Sequence, residues 1–586
     1  MRVVLVSGGV ISGVGKGIIA SSAGLLLKTT GLRVTAIKID PYLNMDAGTL
    51  GPLEHGECFV LADGAESDLD LGNYERYLGI QLSRDNNITT GKIYHEVITR
   101  ERKGAYLGKT VQVVPHITDM IVEWITRVAQ VPVDDSGEEP DVCIIELGGT
   151  VGDIESAPFV EALVQLRHKL SRDPNSSFFN IQVSFVPLIH GEEKTKPTQH
   201  AIKQMRSAGL IPDLIACRCD TTLVDGTIRK IASSCQVDYE QVIGVHDMET
   251  VYQVPMLLHE QGLLQRLTLG LELDKLSMSP AVRENGAALW ELWKKTVIVP
   301  KDSTPVQIAL VGKYTSMLDS YLSVIKALEH AAMRCRRKLS LLPVDSEHLE
   351  ASTQRSDPAL YHKAWQTVCE AQGVIVPGGF GSRGIEGMIA CAKWARENKR
   401  NYLGICLGMQ VATVEISRSL CGRSKATSEE WVDDINSKDA DNHAVVFMPE
   451  SSKEQLGGTM RLGTRPSLFQ PGSEWSKLRA LYGGASEIHE RHRHRYEVNP
   501  ARVDELEEAG LHFVAKDETG NRMEACELKD HPFFVGLQAH PEFLSKVTKS
   551  SPPFLGLVAA SAGILDQIIE EVRMEGLSVN GVAPEF

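Results

Sequence analysis

Short runs of Val and Ile separated by helix-length segments fill the first 250 or so residues: VVLV (3–6), VTAIKI (34–39), VCIIEL (142–147), IQVSFVPLI (181–189), LIAC (214–217) and VIGV (242–245). Strands that are apolar throughout, rather than alternating with polar residues, predict a parallel sheet covered on both faces. After Leu273 the pattern decays into a mixed helical stretch that ends in PKDSTP (300–305) and reads as a linker. A second series follows in VQIALVGKY (306–314), GVIVPGGFG (373–381), YLGICLGMQ (402–410), AVVFM (444–448) and FFVGLQAHPE (533–542). The expected fold class is α/β with two doubly wound domains. The expected division is a first domain at 1–274, a linker at 275–303, a second domain at 304–565 and a C-terminal tail at 566–586. The interval from Cys421 to Gly457 is polar and reads as a loop excursion of the second domain.

Composition narrows the class. A chain of 586 residues exceeds what one core serves. With 42% hydrophobic and 23% charged residues it is globular, not disordered or fibrous. Sixty-one basic against 76 acidic residues give a net charge of −15, which argues against a nucleic-acid or membrane-surface footprint. Small anions stay possible ligands, because a few clustered lysines hold a triphosphate whatever the total charge. The 11 cysteines are scattered without a CxxC pair, as in a reducing compartment. The apolar stretch Phe554–Leu565 is too short to span a bilayer, and a cytoplasmic protein is expected.

The first strand runs into SGGVISGVGKG (7–17) and then a helical pattern that stops at Gly31. A glycine-rich turn between strand and helix lets backbone N–H groups converge on phosphate oxygens, with Lys16 reaching the outer phosphates. The motif departs from a standard P-loop: Val10 replaces its first glycine and Gly17 its Mg²⁺-binding hydroxyl residue. The competing reading is a tight turn with a solvated lysine. Carboxylates at other strand ends could replace the hydroxyl, and Asp70 in DLDLG and Glu146 at the end of VCIIE are the candidates. A second basic site is expected at EEKTKPTQH (192–200), where Pro197 suits the first turn of a helix and Lys194 and Lys196 stand just outside its exposed N–H groups. Lys38 and Lys230 are further cationic candidates.

In the second domain GICLG (404–408) has the small flanking residues that permit a sharp, nucleophile-exposing turn. A thiol needs a basic partner to ionise at neutral pH, and HPE (540–542) offers His540 with Glu542 to fix its tautomer. Alternating along an extended segment, the two are expected to face the same way. GGFG (378–381) can join the Leu407 N–H at an oxyanion.

Taken together, the chain resembles the CTP synthase family of glutamine-dependent amidotransferases over nearly its whole length. KIDPYLN (38–44), HGE (55–57), DGAESDLDLGNYER (63–76), YLGKTVQVVPHITD (106–119), GGTVGDIES (148–156) and KTKPTQH join GGVISGVGKG in resembling the synthase domain. GGFGSRG (378–384), YLGICLGMQ, GGTMRLG (457–463), ERHRHRYEVN (490–499) and HPEF (540–543) are similar to its class I glutaminase domain. The resemblance implies a dethiobiotin-synthetase-like P-loop domain followed by that glutaminase. It implies that ATP phosphorylates O4 of the UTP ring and that ammonia from L-glutamine displaces the phosphate to give CTP. ATP would lie on Ser12, Gly13, Gly15, Lys16, Gly17, Lys38 and Asp70, with Mg²⁺ on Asp70 and Glu146. UTP or CTP would lie near Ser12, His55, Asp153, Glu155, Lys194, Lys196, Gln199 and Lys230, with Glu155 assigned to the CTP amine. The glutaminase triad would be Cys406, His540 and Glu542, and glutamine would meet Gly379, Leu407, Gln410, Glu430 and Arg495. GTP as activator, CTP as feedback inhibitor, a homotetramer and filaments are implied too, with His362 in YHKAW (361–365) a candidate stacking contact.

Three other readings compete. Another two-domain amidoligase, such as a cobyrinate diamide synthase, would use the same loop and glutaminase. A filament-forming scaffold would keep the fold without turnover, yet each catalytic position is intact. A partition-type ATPase would have no use for Cys406 or His540.

Overall fold

The computed structural model describes residues 1–9, 11, 13–134, 136–432, 440–449 and 460–579. Ser12 therefore lies outside the described residues, as do much of the 421–457 interval and the final seven residues. The chain divides into two compact units, Met1–Ala47 with Asp70–Val297, and Gly48–Leu69 with Ile298–Phe586.

The first unit is built on a seven-stranded sheet. Its strands are β1 (Arg2–Gly8), β2 (Val34–Asp40), β3 (Asn87–Thr89), β4 (Val142–Leu147), β5 (Ser177–Phe185), β6 (Leu214–Arg218) and β7 (Val242–Val245), in the order β7-β6-β5-β1-β4-β2-β3. Every pairing is parallel, and β2 and β4 are buried along their whole length, as their unbroken apolar runs require. The register places Val6 of β1 and Lys38 of β2 on either side of Glu146 of β4. Three helices matter below: α1 (Lys16–Lys28), α2 (Leu69–Leu78) and α3 (Lys196–Ser207).

The region expected as a linker is mostly helix: α4 (Pro280–Val297) belongs to the first unit. Its Trp293 is 1% exposed, donates its indole N–H to Tyr252 O at 3.0 Å and packs on Tyr77. Gly286 lies so close to the turn after α1 that a Cβ there would stand 2.5 Å from Thr29 O.

The second unit carries a nine-stranded sheet. Its strands are β8 (Pro305–Gly312), β9 (Lys338–Asp345), β10 (Gly373–Val376), β11 (Asn401–Ile405), β12 (Arg461–Phe469), β13 (Glu487–His494), β14 (Leu511–Lys516), β15 (Met523–Leu528) and β16 (Phe534–Leu537). The order is β9-β8-β10-β11-β16-β15-β14-β12-β13, parallel from β9 to β16 and antiparallel beyond. The AVVFM run falls outside this sheet, pairing as His443–Phe447 with Thr427–Ser428 and Tyr496–Val498 in a small sheet of three. The helix α5 (Leu407–Ser419) follows β11, and α6 (Leu565–Val579) occupies most of the expected tail. Ile568 of α6 is 2% exposed, and Ile569 and Val572 pack on the same core, so apolar burial holds this segment as a helix.

Residues 48–69, expected in the first domain, pack into the second unit. Phe59 and Val60 are fully buried, Arg491 donates to Val60 O at 2.9 Å, and the Ser323 N–H donates to Glu57 at 2.8 Å. The apolar run FVLA needs a core, and no break in hydropathy marks where the chain leaves one unit for the other.

Candidate functional site

In the first unit β1 delivers the chain into the glycine-rich turn, where Gly13 (φ 70°) and Gly15 (φ 94°) take left-handed conformations that side chains disfavour. Gly15 caps α1 without a side chain, leaving the helix N–H groups free to meet an anion. Lys16 is buried, with Nζ 2.9 Å from Gly149 O; burial pushes its ammonium below the ordinary lysine range, against the pull of Glu146.

Lys38, Asp70 and Glu146 converge at the C-terminal end of the sheet. Lys38 Nζ lies 2.9 Å from Glu146 Oε1, in closer contact with Asp70 Oδ2 and 3.8 Å from Asp40. Tyr74 donates its hydroxyl to the other Glu146 oxygen, and Asn73 Nδ2 is 3.3 Å from Asp70. Burial pushes the Asp70 carboxyl up, but Lys38 and Lys16 outweigh it and hold the group below its usual range. Glu146 is raised by burial and by the Asp70 charge, and burial lifts the Asp40 carboxyl to about 6. A Cβ on Gly17 would stand 2.5 Å from Asp70 and 3.4 Å from Glu146, so the residue that lacks a hydroxyl faces the pair of carboxylates. The donor set, two carboxylates beside a phosphate-type turn, fits Mg²⁺. Among the described residues no three His, Cys, Asp or Glu side chains gather as a metal cluster, so phosphate oxygens and water would complete the shell.

The second basic site begins at α3, with Pro197 in its first turn and Lys196 its first residue, not outside it. Lys194 pairs with Glu192 at 2.5 Å and Gln199 Nε2 donates to Thr195 at 3.1 Å. Glycines bring both anion sites together: a Cβ on Gly9 would meet Ala201 of α3 at 2.9 Å, and one on Gly152 would overlap Gln204. Asp153 and Glu155 are exposed on that 148–156 loop, and Lys230 is exposed on the separate helix Asp225–Cys235. His55 lies in the second unit, exposed, 3.7 Å from Glu54. His362 is exposed on the helix Pro358–Glu370.

In the second unit Cys406 sits between β11 and α5 at φ 52°, ψ −100°, a conformation that strains any residue with a Cβ. A Cβ on Gly404 would stand 2.6 Å from Gly408 C, and one on Gly408 would stand 2.1 Å from Val376 O, so both flanking positions require glycine. His540 Nδ1 is 2.7 Å from Glu542 Oε1. The pairing was expected, but the reason differs: His540 caps a short 3₁₀ turn, Pro541–Leu544, which folds the carboxylate back onto the ring. Burial alone would depress the imidazole, but Glu542 and the Cys406 sulphur raise it to about 10, the behaviour of a base that holds the thiol's proton. Nε2 faces the sulphur without completing a well-aligned hydrogen bond. A Cβ on Gly378 would lie 2.7 Å from the His540 ring and 3.7 Å from Cys406, while Gly379 borders Leu407.

The residues expected around glutamine gather beside this array. Glu430 Oε1 accepts the Gly381 N–H at 2.8 Å, and burial raises its carboxyl against the pull of Lys313 and Arg495. Gln410 Nε2 donates to Tyr496 O at 2.9 Å. Three side chains were not anticipated. Gln538 lies 3.5 Å from Cys406 Sγ, and Tyr74 holds Glu146. Lys313 donates to Phe380 O at 3.1 Å, its ammonium lowered to about 8 by burial. Two of them carried a legible signal. Tyr74 stands one helical turn from Asp70, and Gln538 stands two residues before His540 in the same strand exit.

Comparison with known proteins matches residues 2–273 to the CTP synthase N-terminus and residues 316–560 to glutamine amidotransferase class-I. A CTP synthase from Gibberella zeae is 67% identical, covering 100% of this chain and 99% of its own. One from Schizosaccharomyces pombe is 61% identical (99% and 96% covered), and CTP synthase 1 from Saccharomyces cerevisiae is 60% identical (97% and 98%). At such identity from end to end, the chain belongs to the CTP synthase family and is an enzyme with a glutamine amidotransferase domain.

Proposed function

We propose that the enzyme aminates UTP to CTP at the expense of ATP, with ammonia hydrolysed from L-glutamine, in de novo pyrimidine nucleotide synthesis. The observation that carries this reading is the Cys406–His540–Glu542 array on its strained elbow, since a phosphate-binding unit alone has no use for an activated thiol. His540 takes the Cys406 proton, Glu542 keeps Nδ1–H oriented, and the sulphur attacks the carboxamide carbon of glutamine. The N–H groups of Gly379 and Leu407 receive the charge that moves to oxygen. As the C–N bond breaks, His540 returns the proton to the leaving ammonia, and water then frees glutamate from the thioester. Gln410, Glu430 and Arg495 hold the amino-acid end.

In the first unit Gly13, Gly15, Gly17 and Lys16 cradle the ATP phosphates, with Ser12 assigned there by family resemblance. Lys38 lies with them on the ATP phosphates, and Asp70 and Glu146, which it joins in this structure, would hold Mg²⁺. Mg²⁺ supplies charge neutralisation on the transferring phosphoryl group. UTP is held by Lys194, Lys196, Gln199 and Lys230, and CTP shares its phosphate positions while Asp153 and Glu155 face the base; His55 is assigned to the nucleotide by family resemblance alone. GTP activation, a homotetramer, filament stacking at His362 and a cytoplasmic location complete the proposal. No helix among the described residues is long and apolar enough to cross a membrane, and the exposed Leu107, Val113, Val114 and Ile154 offer apolar surface for assembly.

The test is CTP formation from UTP, ATP and Mg²⁺ with either glutamine or ammonium as nitrogen donor. Cys406→Ser is expected to abolish the glutamine-dependent reaction and spare the ammonium-dependent one. Equal loss of both in a folded variant would sink the division of labour, and no CTP from either donor would sink the reading itself.

A further inference from the structure

Gln538 is 1% exposed, and the main chain around it is tied both to the neighbouring strand β15 and to the nucleophile. Its N–H donates to Glu524 O at 2.9 Å, and the preceding carbonyl, Leu537 O, accepts the Cys406 N–H at 2.7 Å. Which end of its amide meets the sulphur follows from Gln410. The Gln410 Nε2 donates to the main-chain carbonyl of Tyr496, which can only accept, so that end of Gln410 is its NH₂. The same nitrogen lies 3.2 Å from Gln538, which must therefore present Oε1 to it and turn its own NH₂ to Cys406 Sγ at 3.5 Å. A main-chain carbonyl thus fixes the polarity of a relay, Tyr496 O to Gln410 to Gln538 to sulphur.

We infer that Gln538 is the hydrogen-bond donor that stabilises the Cys406 thiolate, and that Gln410 keeps it pointed there; the inference rests on the glutaminase reading. A donor to an anion is worth more than the same donor to a neutral thiol, so it favours the ionised sulphur that His540 alone would have to sustain. The arrangement also puts Gln410 two hydrogen bonds from the nucleophile, so a group that moves Gln410 reorients the donor on the sulphur.

Iodoacetamide labelling, followed by mass spectrometry of the Cys406 peptide, reads thiolate reactivity without any glutamine bound. Gln538→Leu is expected to slow labelling at pH 7 about ten-fold, the loss of one hydrogen bond to a charged group. The deficit is expected to narrow as the pH is raised, because alkali ionises a thiol whether or not a donor assists it. Gln538→Glu keeps the shape but offers only acceptors when ionised, and is expected to slow labelling at least as much. Rates within about two-fold of the unmodified enzyme, or a deficit that persists at high pH as a packing defect would, overturn the assignment. If Gln538→Leu fails to fold, Gln538→Met carries the same comparison. Glutamate release from glutamine by the unmodified enzyme is measured separately. Its absence would remove the glutaminase reading while the labelling series still decides whether Gln538 donates to the sulphur; its presence alongside a fully reactive Gln538→Leu thiol removes Gln538 alone.

Discussion

Cys406 keeps its left-handed φ between Gly404 and Gly408, two positions away on either side and each packed against backbone atoms that leave no room for a Cβ. The same residue-scale logic separates two roles for Glu155. It could have capped the helix that begins at Ala157, yet it is exposed, and it is Ser156 that bonds back into the loop, through Oγ to Thr150 O at 2.9 Å. Glu155→Gln is therefore expected to leave the melting temperature unchanged and to weaken CTP inhibition about ten- to a hundred-fold at fixed UTP, the value of a hydrogen bond to a charged acceptor. An inhibition curve that does not move would clear Glu155 of any contact with the product. His531 gives a pH dependence of known sign. It is 2% exposed, it takes the Phe533 N–H at 3.2 Å, and burial lowers its imidazole to about 4 from 6.5. The unfolded chain takes up a proton near pH 6.5 and the folded chain does not, so its contribution is complete above 6.5 and is lost as pH falls towards 4, about 2 kcal/mol by pH 5. Glu490 and Glu524, lifted by burial to about 7 and about 8, act in the opposite direction. The test is thus the difference between His531→Gln and the parent, whose stability curves should converge as the pH is lowered from 7 to 5.

At the scale of elements, α4 shows why a region that reads as a linker can be a structural helix. Few of its residues are buried, and what docks it is a missing side chain: Gly286 rides on the backbone of Thr29 and Gly31, with Trp293 and Val297 buried beyond it. Gly286→Ala is expected to cost about 1–3 kcal/mol, because the added methyl meets backbone atoms, and to lower the urea midpoint of the first unit. A midpoint equal to the parent's would mean that α4 can lift away freely. The strands that were legible are those buried on both faces, whose runs of Val and Ile announce themselves. The antiparallel strands β12 and β13 escaped notice because one face of each meets solvent and their polar residues break the run; β12 even carries Pro466. The helix α6 hid for a similar reason, since its buried residues, Ile568 and its neighbours, are spaced among acids.

Across the whole molecule the chemistry was easier to read than the partition. Strand ends bear the charged groups, so Lys38 and Glu146 could be placed from two apolar runs, and the GICLG elbow and HPE are short motifs whose residue types admit few other uses. Tertiary packing decides their partners: Tyr74 and Gln538 stand near motif residues in the sequence, but only the folded chain shows that Tyr74 meets Glu146 and Gln538 meets Cys406. The fate of residues 48–69 was illegible for that reason. Their buried Phe59 and Val60 say only that some core receives them, and the partners Arg491 and Ser323 lie hundreds of positions away.

That excursion makes the polypeptide pass between the units three times, after Ala47, after Leu69 and after Val297. A protease that cuts the exposed Lys301 therefore severs one passage and leaves the other two. The expected products are pieces of roughly 300 residues each that separate in denaturing gels yet migrate together under native conditions, because the amino-terminal piece is stitched through the interior of the carboxy-terminal one. Clean dissociation of the nicked halves on native size exclusion would show the stitch to be loose. Splitting the gene at this junction would therefore return not two independent proteins but two fragments, the second lacking a segment of its own core that the first carries.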